Sequence, residues 1–198
     1  MPYMYVRRQD RKERVRIHPP AALRSLVPSP YVRDCLKHLP RQSNGLAGDF
    51  GTGYGRHAHL LSSLGYTVLA FDLDPRALQT LRTRIGRKTK CQAQGHIYPV
   101  VADVNADLPL MAGQLDLVVA VHCSIHDNLS AIVTAIAPGG FLIYETFGGH
   151  GMNWLDLPKA SHLKQKLASR FKLLVLQERP VGPTKERAVA VRLLAQKR

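Results

Sequence analysis

Gly48–Leu60, GDFGTGYGRHAHL, decides the fold of this 198-residue chain, because three glycines, Gly51, Gly53 and Gly55, alternate between an apolar run and an amphipathic one. The stretch reads as a strand, a tight turn and the start of a helix. Without a Cβ, glycine lets the backbone bend sharply and approach a ligand closely, so the turn predicts a cofactor site. The spacing excludes two cofactor classes. A phosphate-cradling GxxxxGK[ST] loop needs a lysine and a hydroxyl after its last glycine, whereas Arg56 and His57 follow Gly55. A dinucleotide fingerprint would place its third glycine where Arg56 stands.

Downstream punctuation falls at regular intervals. Tyr66–Asp72, YTVLAFD, is an apolar run ending in a carboxylate roughly 20 residues past the first glycine, the position of a ribose-binding acid. The two oxygens of Asp72 suit a pair of vicinal hydroxyls. Asp74 has a local task instead, since it precedes Pro75 and the periodic Ala77, Leu78, Leu81 and Ile85, the pattern of an N-cap with proline at the first helical position. A third run, Ile97–Ala102, ends at Asp103, and a fourth, Leu115–Val121, leads into His122, Cys123, Ser124, Ile125, His126 and Asp127. Ala137-Pro138-Gly139-Gly140 then opens a fifth run, Phe141–Thr146.

The order Asp49-x-Gly51-x-Gly53-x-Gly55, with the Pro-Gly-Gly turn before the fifth strand, resembles the class I S-adenosylmethionine (SAM) dependent methyltransferases over about Gly45 to Phe147. The resemblance implies an enzyme that uses SAM and releases S-adenosylhomocysteine. It assigns cofactor contacts to Asp49, Gly51, Thr52, Gly53, Gly55, Asp72, Leu73, Asp103, Val104 and His122. Asp49 would help hold the methionine ammonium, or serve as a structural acid, while the amides around Gly51–Gly55 would lie near the methionine carboxylate. Asp103 would accept from the adenine amine, the alternative being a plain loop aspartate or helix cap.

The implied fold is a Rossmann-like, doubly wound α/β sandwich. Its seven-stranded sheet would have the order 3-2-1-4-5-7-6, with the last strand antiparallel and helices on both faces. Strand and helix would alternate through Ala137. The methyltransferase domain would span residues 41–198. A basic segment over residues 1–40, with a helix at Pro30–His38, would belong to the same domain. Leu157–Ser169 is amphipathic, with Leu163 and Leu167 on one face, and two β-like runs follow at Phe171–Gln177 and Ala188–Ala195. A parallel sixth strand, as in dinucleotide-binding dehydrogenases, is the competing ending.

On the acceptor side, His122 and His126 are the candidate general bases, because imidazole titrates near working pH and both follow the fourth strand. The competing reading packs His122 against the sheet end and makes His126 the start of a helix capped by Asp127. Cys123 lacks the Pro-Cys context of RNA cytosine-5 methyltransferases, which argues against a nucleophile. Glu145–Leu157, ETFGGHGMNWLDL, resembles a segment after the Pro-Gly-Gly turn in small bacterial enzymes of the tellurite-resistance and ubiquinone type. It makes Tyr144, Phe147 and Trp154 candidates for the wall or lid of an acceptor pocket, or a plain cover for the sheet edge.

The acceptor class is open between a small molecule in an enclosed pocket, the favoured reading, and RNA. The case for RNA is charge, since 28 Lys and Arg against 14 Asp and Glu give +14. Basic clusters lie at Arg7–Arg16, Arg82–Lys90 and Lys159–Lys172, with Tyr3, Tyr5 and Tyr31 as candidate stacking groups. A non-catalytic protein that binds SAM or nucleic acid is the reading from another class. Three scattered cysteines, Cys35, Cys91 and Cys123, fit no disulfide framework or four-ligand zinc site, so no metal is expected. They predict a reducing, cytoplasmic setting. No apolar run reaches membrane-spanning length, the start lacks a signal-peptide core, and Asp10 and Glu13 interrupt any transit-peptide pattern.

Overall fold

The computed structural model describes residues 26–40, 44–87, 95–106, 108–149, 158–180 and 188–198, together with a two-residue antiparallel pairing of Val6–Arg7 with Arg14–Val15. Seven strands form one sheet: β1 Leu46–Phe50, β2 Thr67–Asp72, β3 Ile97–Val101, β4 Leu115–Val121, β5 Ile136–Gly149, β6 Phe171–Pro180 and β7 Ala188–Lys197. Their spatial order is β3-β2-β1-β4-β5-β7-β6. The first five are parallel, and β7 inserts antiparallel between β5 and β6. The edge strand β6 therefore runs with the first five, and the inserted antiparallel β7 gives the ending that the methyltransferase pattern requires.

The central strands are apolar on both sides because helices cover both faces. On one face, α1 (Pro30–His38), α2 (Arg56–Ser63) and α3 (Pro75–Arg87) set Val32, Cys35, Ala58, Leu61, Leu78 and Leu81 against Ala47, Val68, Leu117 and Ile143. On the other, α4 (Leu129–Ala135) and α5 (Ala160–Leu167) set Ile132, Val133, Leu163 and Leu167 against Phe50, Val118, Leu142 and Leu193. Cys35 and Cys123 are free and buried. Among the described residues, no helix is long and apolar enough to cross a membrane.

Two local features differ from the sequence reading. No helix lies between β3 and β4 among the described residues, so the expected alternation breaks there. The segment after Val101 carries Pro109 and no apolar stripe, and side chains hold it as a loop. Asp103 Oδ1 accepts from Asn105 N at 2.9 Å, Asn105 Nδ2 donates to the Ser124 carbonyl at 2.7 Å, and Asn128 Nδ2 donates to the Val104 carbonyl at 3.2 Å. Second, the N-cap position of α4 is Asn128 rather than Asp127, and its side chain makes no cap bond. The Pro-Gly-Gly turn is a register break within β5: Leu115 pairs with Ile136 and Leu117 with Phe141, which loops out Ala137–Gly140 with Gly139 at φ +78°.

The glycine turn is pinned at its base, where Gly51 N and Thr52 N both donate to the Phe71 carbonyl at 2.9 Å. All three glycines take positive φ, at +70°, +55° and +85°. Their surroundings differ. A Cβ on Gly51 would lie 2.6 Å from Cys123 Cβ, and one on Gly55 would lie 2.3 Å from Leu81 Cδ1, while one on Gly53 would meet nothing within 4 Å. Alanine at Gly53 is therefore expected to cost only the left-handed backbone penalty, about 1–2 kcal/mol. At Gly51 or Gly55 a steric clash adds to that penalty, and urea denaturation should show losses of roughly 3 kcal/mol or more. Equal losses at all three positions would contradict this packing.

Candidate active site

The carboxyl ends of β1, β2, β4 and β5 converge beside the glycine turn, where a doubly wound sheet leaves its binding crevice. Asp49 sits at the end of β1 with only 1% of its surface exposed. Its Oδ2 accepts from Thr52 Oγ1 at 2.6 Å and from Ala58 N at 2.9 Å, tying the turn to the first turn of α2. Its Oδ1 is buried without a hydrogen bond. Burial raises the Asp49 pKa to about 6, with Thr52, Ala58 and Arg56 opposing the shift and Asp72 adding to it. A buried oxygen without a donor suits the positive end of a ligand.

Asp72 closes β2 with both oxygens engaged, Oδ2 accepting from Gly53 N and Oδ1 from Asp74 N, each at 2.8 Å. Each carboxylate oxygen retains a second acceptor site, so these bonds orient the group without exhausting it. Asp74 does cap α3, accepting from Arg76 N at 2.9 Å. Leu73 lies between the two acids, half-buried. On α3, Arg84 holds the turn from behind, donating to the Tyr54 carbonyl at 3.2 Å with its guanidinium 5.7 Å from the Tyr54 ring centre.

Most of the amides that the resemblance sets near a ligand carboxylate make bonds within the protein. Gly51 N and Thr52 N are bound to Phe71, Gly53 N to Asp72, and Gly55 N to the Thr52 carbonyl at 2.9 Å. Val104 is buried among core residues that include Phe71, rather than on an open wall. Asp103 is where the sequence reading put it, just past β3, with Oδ1 engaged in its own turn.

His122 ends β4 in a left-handed conformation, φ +55°, and its amide donates to the Glu145 carbonyl at 2.8 Å. Burial lowers its pKa to about 4, opposed by Glu145 and assisted by Arg56, so the imidazole is neutral at pH 7. His126 stands nearby with Nδ1 2.6 Å from Ser124 Oγ and Nε2 3.4 Å from Asp127 Oδ1. Cys123 packs under Gly51, and burial drives its thiol well above the ordinary range, which leaves it inert as a nucleophile. Tyr144, a sequence candidate for the pocket wall, is fully buried in the core, because β5 alternates and this position faces the α4–α5 side. Trp154 and the side chain of Phe147 lie outside the described residues.

Sequence reasoning passed over a buried polar chain around Glu145. Ser29, the cap of α1, donates its hydroxyl to Glu145 Oε2, while Arg192 Nε on β7 donates to Oε1 at 2.8 Å. The Arg192 guanidinium lies 5.1 Å from the Tyr31 ring centre. Ser29 N donates to His57 Nε2 at 3.1 Å, which puts the neutral ring's proton on Nδ1, 4.0 Å from Asp49 Oδ1. Burial lowers the His57 pKa to about 3, with Arg56 and His122 acting in the same direction. One chain of polar groups thus runs from β7 through β5 and α1 to His57 on α2, whose ring faces Asp49 at 4.0 Å. The signal in the sequence was Glu145, an acid inside an otherwise apolar strand.

Residues 48–144 match the family described as "Methyltransferase domain". None of the curated proteins matches the sequence. Among solved structures, the chain is similar in fold to a SAM-dependent methyltransferase from Methanosarcina mazei, at 15% identity and TM-score 0.61, covering 86% of this chain and 98% of that one. It is also similar to TehB from Haemophilus influenzae, at 19% identity and TM-score 0.64, covering 84% and 62%. A third is phosphoethanolamine N-methyltransferase 2 from Haemonchus contortus, solved with phosphomonomethylethanolamine and S-adenosylhomocysteine, at 14% identity and TM-score 0.68, covering 83% and 52%.

The lowered pKa of His122 has a stability consequence. The folded state holds this ring neutral down to about pH 4, while the unfolded chain takes up its proton near pH 6.5, so this contribution is intact at pH 7 and is lost as pH falls through that window. Asparagine tolerates the left-handed backbone and does not titrate. Between pH 7 and pH 5, His122→Asn is expected to lose about 1–2 kcal/mol less stability than the wild type, measured by urea denaturation. Parallel pH profiles would show that His122 is not held neutral by the fold.

Proposed function

We propose, from the premise that this chain belongs to the class I SAM-dependent methyltransferases, that it methylates a small molecule held between the carboxyl ends of β4 and β5 and the start of α1. The observation that carries this reading is the Ser29–Glu145–Arg192 chain, which fastens the start of α1 to β5 and β7 one strand from His122. An acceptor side held together by buried polar bonds suits a compact acceptor better than a long polymer.

Asp72 and Asp49 fit the donor for separate reasons. Asp72 is pre-oriented at the end of β2 to accept from ribose hydroxyls, and Asp49 Oδ1 is a buried acceptor without a donor, suited to an ammonium directly or through water. Bound SAM supplies a sulfonium methyl already activated by its charge. The chain's own work is to hold the acceptor in line, exclude water and provide a base only where the acceptor retains a proton. At neutral pH, His122 is an unprotonated but weak base, with its pKa at about 4. His126, joined to Ser124, is the other candidate base.

A second reading, an RNA acceptor, draws on the charge. Lys159, Lys164, Lys166, Arg170 and Lys172 are exposed along α5 and the start of β6, and the chain carries +14 overall. The scattered cysteines support a cytoplasmic location under either reading.

Calorimetric titration with SAM and S-adenosylhomocysteine tests the donor. Asp72→Ala and Asp72→Asn should each weaken binding by about 2–3 kcal/mol, on the order of 100-fold, the second with less disturbance of the turn. Transfer of labelled methyl to a small-molecule extract, with none to total RNA, would support the proposed acceptor. Transfer to RNA alone would replace it with the second reading, and failure of the folded wild type to bind either nucleoside would remove both.

A further inference from the structure

Every polar group of Ser29, the cap of α1, is committed. Its amide donates to His57 Nε2 at 3.1 Å, and its carbonyl accepts from Arg33 N at 3.1 Å. Its hydroxyl donates to Glu145 Oε2 and accepts from Tyr31 N at 3.1 Å. Ser29 stands between Pro28 and Pro30, so its amide is the one N–H of that tripeptide. It takes the extended backbone that a residue before proline prefers, φ −53° and ψ 132°. The start of α1 therefore arrives pre-shaped, with a single amide to spend, and spends it on the ring of His57.

His57 lies in the first turn of α2, and the same ring stands against Asp49. Its Nδ1 is 4.0 Å from Asp49 Oδ1, the oxygen without a hydrogen bond. That distance is too long for a hydrogen bond, but the two residues are only 3% and 1% exposed, so little water screens the ring's dipole from the carboxylate. A neutral imidazole has one donor and one acceptor nitrogen. With the proton on Nδ1, the ring accepts from Ser29 and turns its positive side to Asp49. With the proton on Nε2, it would set N–H against N–H at Ser29 and a lone pair against the carboxylate. The two contacts thus favour the same tautomer, and whatever strengthens the negative charge on Asp49 strengthens the hold on α1. Burial lifts the Asp49 carboxyl to about 6, close to neutrality, and a positive ligand group beside it shifts it toward the anion.

We infer that His57 is a positioning residue that couples the seating of α1 to the occupancy of the crevice at Asp49. This rests on the reading of the crevice as a SAM site with Asp49 on the donor side. A bound donor holds α1 down, and by linkage a seated α1 raises donor affinity by the same factor.

The test is amide hydrogen exchange of α1, read by mass spectrometry with and without saturating S-adenosylhomocysteine. In the wild type the ligand should slow exchange across α1 by about 5-fold or more. His57→Gln keeps an acceptor for Ser29 N and removes the Nδ1–H, so exchange without ligand should stay within about twofold of wild type while the slowing on binding is lost. His57→Asn keeps an amide donor toward Asp49 but is too short to meet Ser29. It should lose the slowing too, and it covers the case in which the glutamine variant fails to fold. Exchange raised by the same factor with and without ligand would leave the slowing intact, assign His57 to packing alone and overturn the inference. Wild-type α1 that exchanges equally fast with the ligand bound would overturn it as well. Calorimetric titration alongside separates the two levels, because wild-type protein that binds no S-adenosylhomocysteine would overturn the underlying reading of the site.

Discussion

Burial of the Asp49 carboxylate is the constraint on which the rest of this structure turns. A charge removed from water at the end of the first strand must be met by donors, and here Thr52 and the amide of Ala58 meet one oxygen. Satisfying it fixes where the turn reverses and where α2 begins. With α2 in place, Gly55 must take a left-handed conformation against Leu81, Gly51 must pass over Cys123, and Gly53 remains as the stretch of backbone open to a ligand. The second oxygen is left without a donor. The fold accepts that cost at one atom, which is the kind of local expense a binding site carries.

Much of the architecture was legible because the signals were local. Alternating glycines, proline after Asp74 and apolar runs ending in Asp72 and His122 each specify a boundary through backbone sterics or capping. The position of β7 followed from two late β-like runs read in the light of the resemblance. What stayed hidden depends on partners distant in sequence. Glu145 is joined to Ser29, 116 residues away, and to Arg192, 47 residues away, and no spacing rule connects them. Tyr144 looked like a pocket residue because aromatic and glycine residues follow it, but the parity of β5 turns it into the core. The loop between β3 and β4 was missed for the opposite reason. A family pattern supplied a helix that the local sequence, with Pro109 and no apolar stripe, does not support.

Electrostatics divide the molecule in two. Several of its acids are withdrawn from the surface: Asp49, Asp74 and Glu145 are buried and committed to caps or to the polar chain. A chain with half as many acids as bases becomes still more one-sided at its surface when acids are drawn inward. The crevice at the carboxyl ends of the strands keeps the acids Asp49 and Asp72, from β1 and β2. The exposed cations of α5 and β6 lie across the sheet from it, beyond β5 and β7.

The placement of β7 also has a meaning for how the chain comes to be assembled. Among the described residues, β6 has no hydrogen-bonded neighbour strand except β7, which follows it in the chain and separates it from β5. While a nascent chain is being made, the parallel half of the sheet can collapse around β1 and β4, but β6 must wait at the margin until its later neighbour arrives and threads into place. Lys197, near the end of that strand, then donates to the carbonyls of Val133 and Ile136, closing off α4. The ligand-facing half of the molecule can thus form early, and the far edge is sewn shut last.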